Sequence, residues 1–489
     1  MMIALVASAK KSNIVADSTI VTLSPEEYYR LHPIPKRPWA AAAEVFGVDM
    51  ISWSVSKFVA KKPFANISLA TMKRNIDTGF IWDVDEFPTN LVAHPYQGGL
   101  SFAASRAWGL TYLESLPYSF AGSFLWEMFL ENEPASINDL ITTSIGGMAY
   151  GEVMHRVSSQ VLNNRAKGVN RVVRELGGFL IDPTRGVQRL VTGEMWKQGY
   201  PYVDANAGID AVLSLRAGYR LFMNNGIGSR YDQNAYLGLH YEYNDPYEVS
   251  GRTPFEYFML DADFNLGHKQ AFLGDIRITG LLFGETFSGQ TYQSLIGVFQ
   301  QYGFHDSKEI SKVGNPEAEV PYRISETAAF GAGGFWKKDV VRNLSVEGRA
   351  FITGIMLGGY YSDYYRFGKR DYNFGSGFSF RSSLQVLLGS RLSLTGETEG
   401  YKIYTLSGYR DKTGSDIVPL YLDAAGDPGS GFVLISRIDA KVRLYDQIRL
   451  GACMDWYYRR NSYRGLPPDL KSVTKYKSND LRFYLEYTF

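Results

Sequence analysis

LRFYLEYTF, residues 481–489, closes this chain. Successive side chains of a β-strand point to opposite faces, so these residues separate into two sides. One side carries Leu481, Phe483, Leu485, Tyr487 and Phe489, and the other carries Arg482, Tyr484, Glu486 and Thr488. The pattern predicts a strand with one apolar and one polar face, whose last residue is aromatic.

The terminal aromatic residue points to one class of protein. The ending resembles the last strand of bacterial outer-membrane β-barrels, which closes the barrel and carries an assembly signal. The resemblance implies that Leu485, Tyr487 and Phe489 form this signal and that the barrel-assembly machinery is a partner during biogenesis. The edge strand of a β-sandwich shows the same alternation, so these nine residues alone leave both folds open.

The composition of the 489 residues agrees with a barrel. Lys and Arg number 51 and Asp and Glu number 50, so no bulk charge indicates nucleic acid as a partner. The 34 Tyr and 49 Gly are typical of interfacial rings and curved strands. A mean hydropathy of −0.18 excludes a bundle of transmembrane helices but not a barrel. Cys453, the one cysteine, is expected to be a buried thiol.

Period-two alternation continues through the second half of the chain. In segment 430–444, Ile438 and Ala440 lie on the face opposite Arg437 and Asp439. Twelve such segments occur, at about 205–222, 228–244, 253–266, 274–288, 293–306, 323–338, 343–359, 372–388, 391–406, 430–444, 448–460 and 479–489. The sequence therefore predicts twelve antiparallel strands.

The connections between these segments separate the two folds. The long ones, at about 307–322, 407–429 and 461–478, follow the fifth, ninth and eleventh segments. The tight ones follow even segments, near residues 289–290, 340–341, 389–390 and 446–447. Transmembrane barrels segregate long and short connections to opposite membrane faces, whereas a sandwich has no reason to do so. The pattern predicts an outer-membrane barrel with both ends of the chain on the periplasmic side and outer-membrane lipids as partners.

The polar faces of the strands must line the lumen, because the outer faces meet lipid. The predicted lumen positions carry both signs of charge: Arg216, Arg220, Glu242, Arg277, Glu347, Arg349, Arg381, Glu397, Glu399, Arg437, Asp439, Lys441, Arg443, Arg482 and Glu486. Two interpretations stay open. The charges line a narrow water-filled channel, or they pair across the lumen and seal it or hold a plug.

The first 200 residues follow helical spacing instead. Residues 1–37 are interpreted as a signal-peptide remnant and linker, residues 38–200 as a helical domain and residues 201–489 as the barrel. The helical domain is expected on the periplasmic side or as a plug. Helices are expected at about 39–60, 98–105, 113–130 and 137–162. Residues 174–201 are expected to form a connector with a turn at 182–186. The fold class is thus α+β, a helical domain followed by a transmembrane antiparallel barrel.

The helical domain carries a compound motif, with HPYQGG at 94–99, SFLWE at 123–127, ENEPASINDL at 131–140 and a glycine pair at 146–147. The chain here resembles a bacterial family of unknown function, found in Gram-negative outer-membrane proteins, that joins this helical signature to a C-terminal barrel. The resemblance covers roughly residues 85–200 and implies architecture and location, but no activity. The order of His, Glu, Ser-x-x-Asp and paired glycines is also similar to VanZ-like helical proteins.

A structural interpretation of the motif is a polar seam between packed helices. Ser136 and Asp139 are expected to form a capping box, and Arg106 an ion pair with Glu127. The glycines are expected to let another helix approach closely. The seam comprises Arg106, Glu114, Trp126, Glu127, Ser136, Asp139, Gly146, Gly147 and Gly151.

A functional interpretation places candidate catalytic residues in one cleft, namely His94, Glu127, Glu131 and Asp139, with His155 as a further member. No His-Glu-x-x-His spacing occurs, so the sequence alone indicates no metal site, and no cofactor is expected. The barrel histidines His240 and His305 lie in no nucleophile motif and are expected to have ordinary polar roles.

Two functions remain in view. The first is a narrow or plugged channel or transporter, or an envelope-organising protein, with the helical domain as plug or as docking module for a periplasmic protein or lipid. The second is an envelope lipid-modifying enzyme that uses the His/Glu/Asp cluster.

Overall fold

The computed structural model describes residues 34–198, 209–224, 230–267, 270–307, 310–311, 318–408 and 424–489. The architecture is the predicted one, a helical region followed by a closed antiparallel barrel of twelve strands. The chain forms two compact units. One comprises Met1–Asp83 and Val92–Ala211, and the other comprises Val84–Leu91 and Val212–Phe489. The expected signal-peptide remnant lies almost entirely outside the described residues.

The helical unit is built from short and medium helices. They are α1 (Pro38–Ser54), α2 (Leu69–Thr78), α3 (His94–Ala107), α4 (Tyr112–Leu125), α5 (Ile137–Ile141), α6 (Gly147–Val161), α7 (Gly168–Ile181) and α8 (Pro183–Val191). Wider π-helical turns occur at Val55–Val59, Thr89–Ala93, Trp126–Leu130 and Thr142–Gly146. None of the helices in the described ranges is both long and apolar enough to cross a membrane.

The predicted connector between residues 174 and 201 is wrong, because α7 and α8 occupy most of it. Asp182 does not begin a turn but caps α8, and its side chain accepts a hydrogen bond from the backbone amide of Arg185 at 3.0 Å. Pro183 takes the first helical position, where its missing N–H costs nothing and its φ is already helical. An Asp-Pro pair therefore begins a helix here.

Helix α4 begins with a capping box that involves Glu114 of the predicted seam. The Thr111 side chain accepts from the backbone amide of Glu114, and the Glu114 carboxylate accepts from the Thr111 amide at 2.9 Å. Glu114 also forms an exposed ion pair with Lys36 at 2.8 Å. Its role is thus at the helix end, and helix α2, which the sequence analysis did not predict, begins with the same device at Ser68.

Helices α3 and α6 approach each other closely at their glycines, as the glycines of the motif predict. A Cβ atom on Gly147 would lie 2.5 Å from the backbone carbon of Gly98, and one on Gly151 would lie 2.6 Å from the carbonyl oxygen of Gly99. Real Cβ atoms do not come this near to backbone atoms. The two helices therefore pack backbone to backbone.

The barrel contains β1 (Ala211–Asn224), β2 (Arg230–Tyr243), β3 (Phe258–Asn265), β4 (Leu273–Ser288), β5 (Tyr292–Asp306), β8 (Arg323–Val341), β9 (Leu344–Tyr361), β10 (Tyr372–Leu388), β11 (Leu392–Thr405), β12 (Gly429–Arg443), β13 (Ile448–Tyr463) and β14 (Val473–Thr488). Two short strands, β6 (Ile310–Ser311) and β7 (Ala318–Glu319), pair separately. Each barrel strand pairs with its neighbours in sequence, and β14 closes the barrel on β1 with Ala217 opposite Leu485. The twelve-strand prediction is confirmed.

The outer face of the barrel is apolar at the predicted positions. Ile352 is 73 % exposed, and Ile438, Phe483 and Leu485 are about half exposed. In the same strands, the neighbouring charged residues are turned inward and buried. Of the terminal residues, Phe489 donates its backbone amide to Leu213 at 2.9 Å and its ring packs against Tyr487. Cys453 is buried, as expected.

One connection departs from the predicted segregation. The link between β2 and β3 spans residues 244–257, although it lies at the end of the barrel where the other links are tight. Its residues Val249 and Tyr257 are buried and pack against Met259, Leu281 and Phe299. The sequence predicted a shorter link because the apolar residues of this loop resemble the start of a strand.

Segment Val84–Leu91 belongs to the barrel unit although it lies within the helical part of the sequence. The ring of Phe87 packs against Phe304 and Tyr372, with ring centroids 5.1 Å and 5.0 Å away. Asn90 donates to the Tyr372 hydroxyl at 2.7 Å. No pattern in the sequence distinguishes this segment from the helices around it.

Strand alternation shows which side of the wall this segment covers. His305 points inward, since it lies 3.6 Å from Glu399, a predicted lumen residue on the distant strand β11. Its neighbour Phe304 must point outward, and Phe304 is the residue that Phe87 contacts. Within the barrel unit, this segment therefore lies on the outer face of the wall and does not fill the lumen.

Candidate functional site

Three segments of the helical unit bring His94, Glu127 and Asp139 together. Their side chains each place one nitrogen or oxygen atom within 4.8 Å of the other two. His94 Nε2 lies 3.8 Å from Asp139 Oδ1. Glu127 and Asp139 are almost fully buried, whereas the His94 side chain is 15 % exposed. These three catalytic candidates thus form one cluster that is reachable from one side.

Each of the three residues lies in or beside a π-helical turn. His94 follows the turn Thr89–Ala93 directly, and Glu127 lies within the turn Trp126–Leu130. Asp139 is in α5, which runs into the turn Thr142–Gly146. Such turns are rare and are frequently found at functional sites, because they rotate one side chain out of helical register.

Hydrogen bonds fix the two buried carboxylates. Glu127 Oε2 accepts from the backbone amide of Ser136 at 2.7 Å, and Asp139 Oδ1 accepts from Asn138 Nδ2 at 2.8 Å. The predicted capping box is therefore wrong, since the Ser136 side chain makes no capping bond. The Ser136 amide donates to Glu127 instead of Asp139. The Asp139 carboxylate points toward His94.

Glu131, the fourth candidate, also belongs to the cluster. Its side chain forms a hydrogen bond with that of Glu127. Burial raises the pKa of Glu127 to about 8, although the Ser136 amide acts in the opposite direction. Burial also raises the pKa of Glu131 well above its ordinary value, with the charges of Glu127 and Asp139 acting in the same direction. Burial lowers the pKa of His94, partly offset by Asp83.

Arg106 does not pair with Glu127, contrary to the prediction. Its Nε lies 2.7 Å from Glu152, which is fully buried in α6 and also contacts Arg156 at 2.7 Å. The two guanidinium groups outweigh burial and lower the pKa of Glu152. Glu152 follows Gly151 of the predicted seam, and no local pattern distinguishes it from Glu127 as the partner of Arg106.

His155 lies outside the cluster. Its Nδ1 is 3.1 Å from Nη1 of Arg185 in α8, and burial lowers the pKa of the imidazole well below its ordinary value. A neutral imidazole that accepts from an arginine is a packing contact between α6 and α8. Of the remaining seam residues, Trp126 is buried, with its ring 6.3 Å from that of Phe64.

Glu44 in α1 makes the stability of the helical unit depend on pH. Its carboxylate accepts from Trp108 Nε1 at 2.6 Å, and burial raises its pKa from 4.5 to about 8. Its contribution to stability is complete below about pH 4.5 and is lost as pH rises through 8. The nearby charges of Asp182 and Arg185 act in opposite directions.

Glu44→Gln is therefore expected to stabilise the helical unit at pH 9 relative to pH 6, by about 2 kcal/mol, a value reduced for the partial exposure of the side chain. Thermal melts followed at 222 nm measure the effect. Asp77→Asn, at an exposed residue, is the control and should show no such pH-dependent difference. Equal shifts at both pH values would contradict the prediction.

The barrel lumen is crossed by ion pairs. Arg277 of β4 contacts Glu399 of β11, and also Glu397 at 3.9 Å. Strands β4 and β11 are separated by four strands on one side of the barrel and six on the other. Arg482 of β14 likewise reaches Asp263 of β3 at 2.5 Å, past two intervening strands. The contact of Arg277 joins nearly opposite walls, and that of Arg482 joins strands a quarter of the way around the barrel.

Nearly all predicted lumen charges take part. The pairs are Arg216–Glu486 at 2.9 Å, Lys441–Glu486 at 2.7 Å, Lys441–Asp439 at 3.8 Å, Arg220–Asp480 at 2.6 Å, Arg437–Asp455 at 2.6 Å, Arg349–Glu397 at 2.7 Å, Lys337–Glu347 at 3.1 Å and Arg381–Glu326. Glu242 accepts from Tyr257 at 2.6 Å. Arg443 is the exception among the predicted positions, since it forms no ion pair with any described residue.

Six acidic residues that pair with the lumen arginines were not among the predicted lumen positions. They are Asp261, Asp263, Asp275, Glu326, Asp455 and Asp480. Strict alternation places most of them on inward faces, as it does for Asp455 beside Arg437. The two barrel histidines join the same network, with His240 2.8 Å from Asp261 and His305 2.6 Å from Asp275.

Aromatic side chains fill the lumen on both sides of the ion pairs. One interior cluster contains Phe222, Tyr322, Ile324, Tyr360, Tyr401, Ile403, Val433, Ile435 and Tyr457. Another contains Tyr257, Met259, Leu281, Leu295, Phe299, Phe335 and Phe351. Most of these side chains are under 5 % exposed. The interior is thus packed with ion pairs between two apolar layers.

The cluster of His94, Glu127, Glu131 and Asp139 lies in a part of the chain that matches a known family. Residues 79–184 match the domain of unknown function DUF3943. The DUF3943 region contains all four residues of the cluster, and the barrel follows it. This agrees with the family resemblance that the motifs indicate, a helical signature joined to a C-terminal barrel. A search of curated proteins finds no significant match.

Several solved barrels are similar to this chain in form. The KdgM porin shares 6 % identity over 56 % of this chain and 99 % of its own, with a TM-score of 0.23. The TodX toluene transporter of Pseudomonas putida shares 9 % identity over 57 % and 88 %, with a TM-score of 0.21. The translocator domain of the autotransporter NalP from Neisseria meningitidis shares 10 % over 57 % and 88 %, with a TM-score of 0.23. Likeness at this level says nothing about what this chain binds or transports.

Proposed function

We propose that this protein is an integral outer-membrane barrel with a sealed lumen, which anchors the DUF3943 helical unit in the cell envelope. The observation that carries the proposal is the ion pair from Arg277 to Glu399, which joins nearly opposite walls of the barrel. A passage for solutes would need this contact to break. The protein is accordingly an envelope-organising protein, or a channel that stays closed until these pairs separate.

The membrane location is supported by the outer surface of the barrel. Its exposed side chains include Ile296, Ile352, Phe378, Leu394 and Ile438, all of them large and apolar. A protein with such a surface would aggregate in water, whereas an apolar surface is stable against the hydrocarbon of a bilayer. Outer-membrane lipids are thus the proposed partners of the barrel. Delivery by the barrel-assembly machinery, through Leu485, Tyr487 and Phe489, is part of the same proposal.

The helical unit is proposed as a docking module in the cell envelope. Helix α7 supports this role, because Val169, Val172, Leu176 and Leu180 recur at helical spacing and are all more than half exposed. A helix with such an apolar row suits a lipid surface or a protein partner. A plug role would instead require this row to be covered inside the lumen.

The convergence of His94, Glu127, Glu131 and Asp139 favours a second candidate, an envelope enzyme that acts on lipids. Polar side chains gathered at the edge of a buried cleft can transfer protons to or from a substrate. Barrel anchoring would hold such an enzyme beside its substrate. The cluster supports chemistry of this kind without identifying a substrate.

Planar bilayers test the sealed lumen. The full-length protein, purified in detergent and inserted into a bilayer, is expected to give no steady conductance at moderate voltage. Insertion must be verified independently, by heat-modifiable gel mobility and by protease protection in proteoliposomes. A steady ohmic current from the unaltered protein would overturn the sealed barrel and restore the open narrow channel.

A further inference from the structure

We infer that His94, Glu127 and Asp139 form a binding site for a divalent cation of the Zn²⁺ or Mn²⁺ type, with Glu131 as an additional carboxylate. The inference concerns the helical unit alone, so it does not depend on whether the barrel conducts. It rests on the distances between ligand atoms, on the charges around them and on the groups that hold them in place.

The distances fit a metal site. Two ligands bonded to one cation at about 2.1 Å lie roughly 3 to 4.2 Å apart, depending on the angle between them. His94 Nε2 and Asp139 Oδ1 are 3.8 Å apart, too long for a direct hydrogen bond but within this range. One ligand atom of each of His94, Glu127 and Asp139 lies within 4.8 Å of the other two. Small side-chain rotations would therefore bring all three to bonding distance.

The cluster gathers several carboxyl groups in one place. Asp139 lies within 4.8 Å of Glu127, and the Glu127 side chain adjoins that of Glu131. Neither Glu127 nor Glu131 forms an ion pair with any Lys or Arg in the described part of the chain. Buried carboxylates are normally paired with a cation or coordinate a metal. Asp83 and Glu133 add further negative charge nearby.

Neighbouring groups form hydrogen bonds to the proposed ligands, as the groups around the ligands do in known metal sites. The Ser136 amide donates to Glu127, and the Asn138 side chain donates to Asp139. Asn75 donates to the backbone carbonyls of Glu127 and Glu131 at 3.3 Å and 3.2 Å. The side-chain oxygen of Asn75 is completely buried and has no hydrogen-bond partner. These bonds orient the carboxylates and leave His94 Nε2 facing Asp139.

The ligand set selects the type of cation. One imidazole with two or three carboxylates suits Zn²⁺ and Mn²⁺, which accept both nitrogen and oxygen. Ca²⁺ prefers six to eight oxygen ligands, and copper(I) prefers sulfur, so both fit less well. The partial exposure of His94 leaves an open side through which water or a substrate oxygen can reach the ion.

Isothermal titration of the full-length protein in detergent tests the inference, with ZnCl₂ and MnCl₂ as probes after removal of metals by a chelator. One ion per chain is expected to bind to the unaltered protein. Loss of a direct ligand in His94→Gln, Glu127→Gln or Asp139→Asn is expected to weaken binding by at least about 100-fold, and Asn138→Ala by about tenfold. Asp77→Asn, at an exposed residue of the same unit, is the matched control and should bind normally.

Two further measurements distinguish a loss of cation binding from a loss of folding. Circular dichroism at 222 nm establishes that each variant is folded before titration. With Mn²⁺ bound, pulsed EPR is expected to detect one coordinated imidazole nitrogen that disappears in His94→Gln. Absence of Zn²⁺ and Mn²⁺ binding in the folded, unaltered protein would overturn the inference, as would equal binding by the three ligand variants. Either result would leave the sealed barrel unaffected.

Discussion

Arg277→Ala is expected to turn a silent barrel into a conducting one and to lower its free energy of unfolding by about 3 to 5 kcal/mol. The guanidinium group of Arg277 contacts Asp275 at 3.1 Å, Asp261 at 3.9 Å and, across the lumen, Glu399. Its loss removes the guanidinium group that Asp261, Asp275 and Glu399 share, and leaves these carboxylates with His240, His305 and Arg381 beside them. Their repulsion, and the volume vacated by the side chain, both admit water.

Conductance and unfolding should change together, because one contact accounts for both. Steady single-channel currents are expected in planar bilayers, with preference for cations since the exposed groups are carboxylates. Urea unfolding in lipid vesicles, followed by tryptophan fluorescence, measures the loss of stability. The carboxylates around Arg277 come from β3, β4 and β11, so the destabilisation should affect the whole barrel and not one hairpin.

Arg443→Ala is the matched control. Arg443 was also predicted to face the lumen, but it ends β12 opposite Arg449 and makes no ion pair among the described residues. Its replacement should leave the barrel silent and its stability almost unchanged. If Arg277→Ala were also silent while remaining inserted, the apolar layers alone would seal the lumen, and the cross-lumen pair would not be the decisive contact.

The barrel could be predicted from sequence because its rule is local. Alternation in LRFYLEYTF and in the other segments specifies which face each residue occupies, and neighbours in sequence become neighbours in the sheet. Alternation cannot say which inward charge meets which, because partners such as Arg277 and Glu399 are 122 residues apart and lie on strands that do not pair. The choice between a channel and a sealed lumen therefore needed the structure.

The helical unit was harder to predict because its decisive contacts also join residues that no local pattern connects. Ser136 and Asp139 have the spacing of a capping box, yet tertiary contacts with Glu127 and His94 take both groups. The candidates His94, Glu127, Glu131 and Asp139 were singled out by residue type, but their distances depend on three π-helical turns that no local pattern reveals. Glu131 follows the turn Trp126–Leu130 in extended backbone, so helical i,i+4 spacing does not account for its position beside Glu127.

Gly147→Ala is expected to unfold or strongly destabilise the helical unit, although alanine is the better helix former. In an unhindered helix the change would stabilise by about 1 kcal/mol. Here the new Cβ would lie 2.5 Å from the backbone carbon of Gly98 and 2.7 Å from the backbone nitrogen of Gly99. Backbone atoms in the middle of a packed helix cannot move aside as a flexible side chain can. The helices must separate, at a cost of about 3 kcal/mol or more.

Gly47→Ala supplies the opposite result in the same unit. Gly47 lies inside α1, and no atom approaches within 4 Å of its would-be Cβ, so helix propensity alone decides and the melting temperature should rise. Melts of the full-length protein at 222 nm compare the two variants, with heat-modifiable gel mobility reporting on the barrel. Equal effects of both substitutions would mean that α3 and α6 do not pack through their glycines. Because His94 begins α3, separation of the helices should also displace it from Glu127 and Asp139, so Gly147→Ala is expected to lose cation binding along with stability.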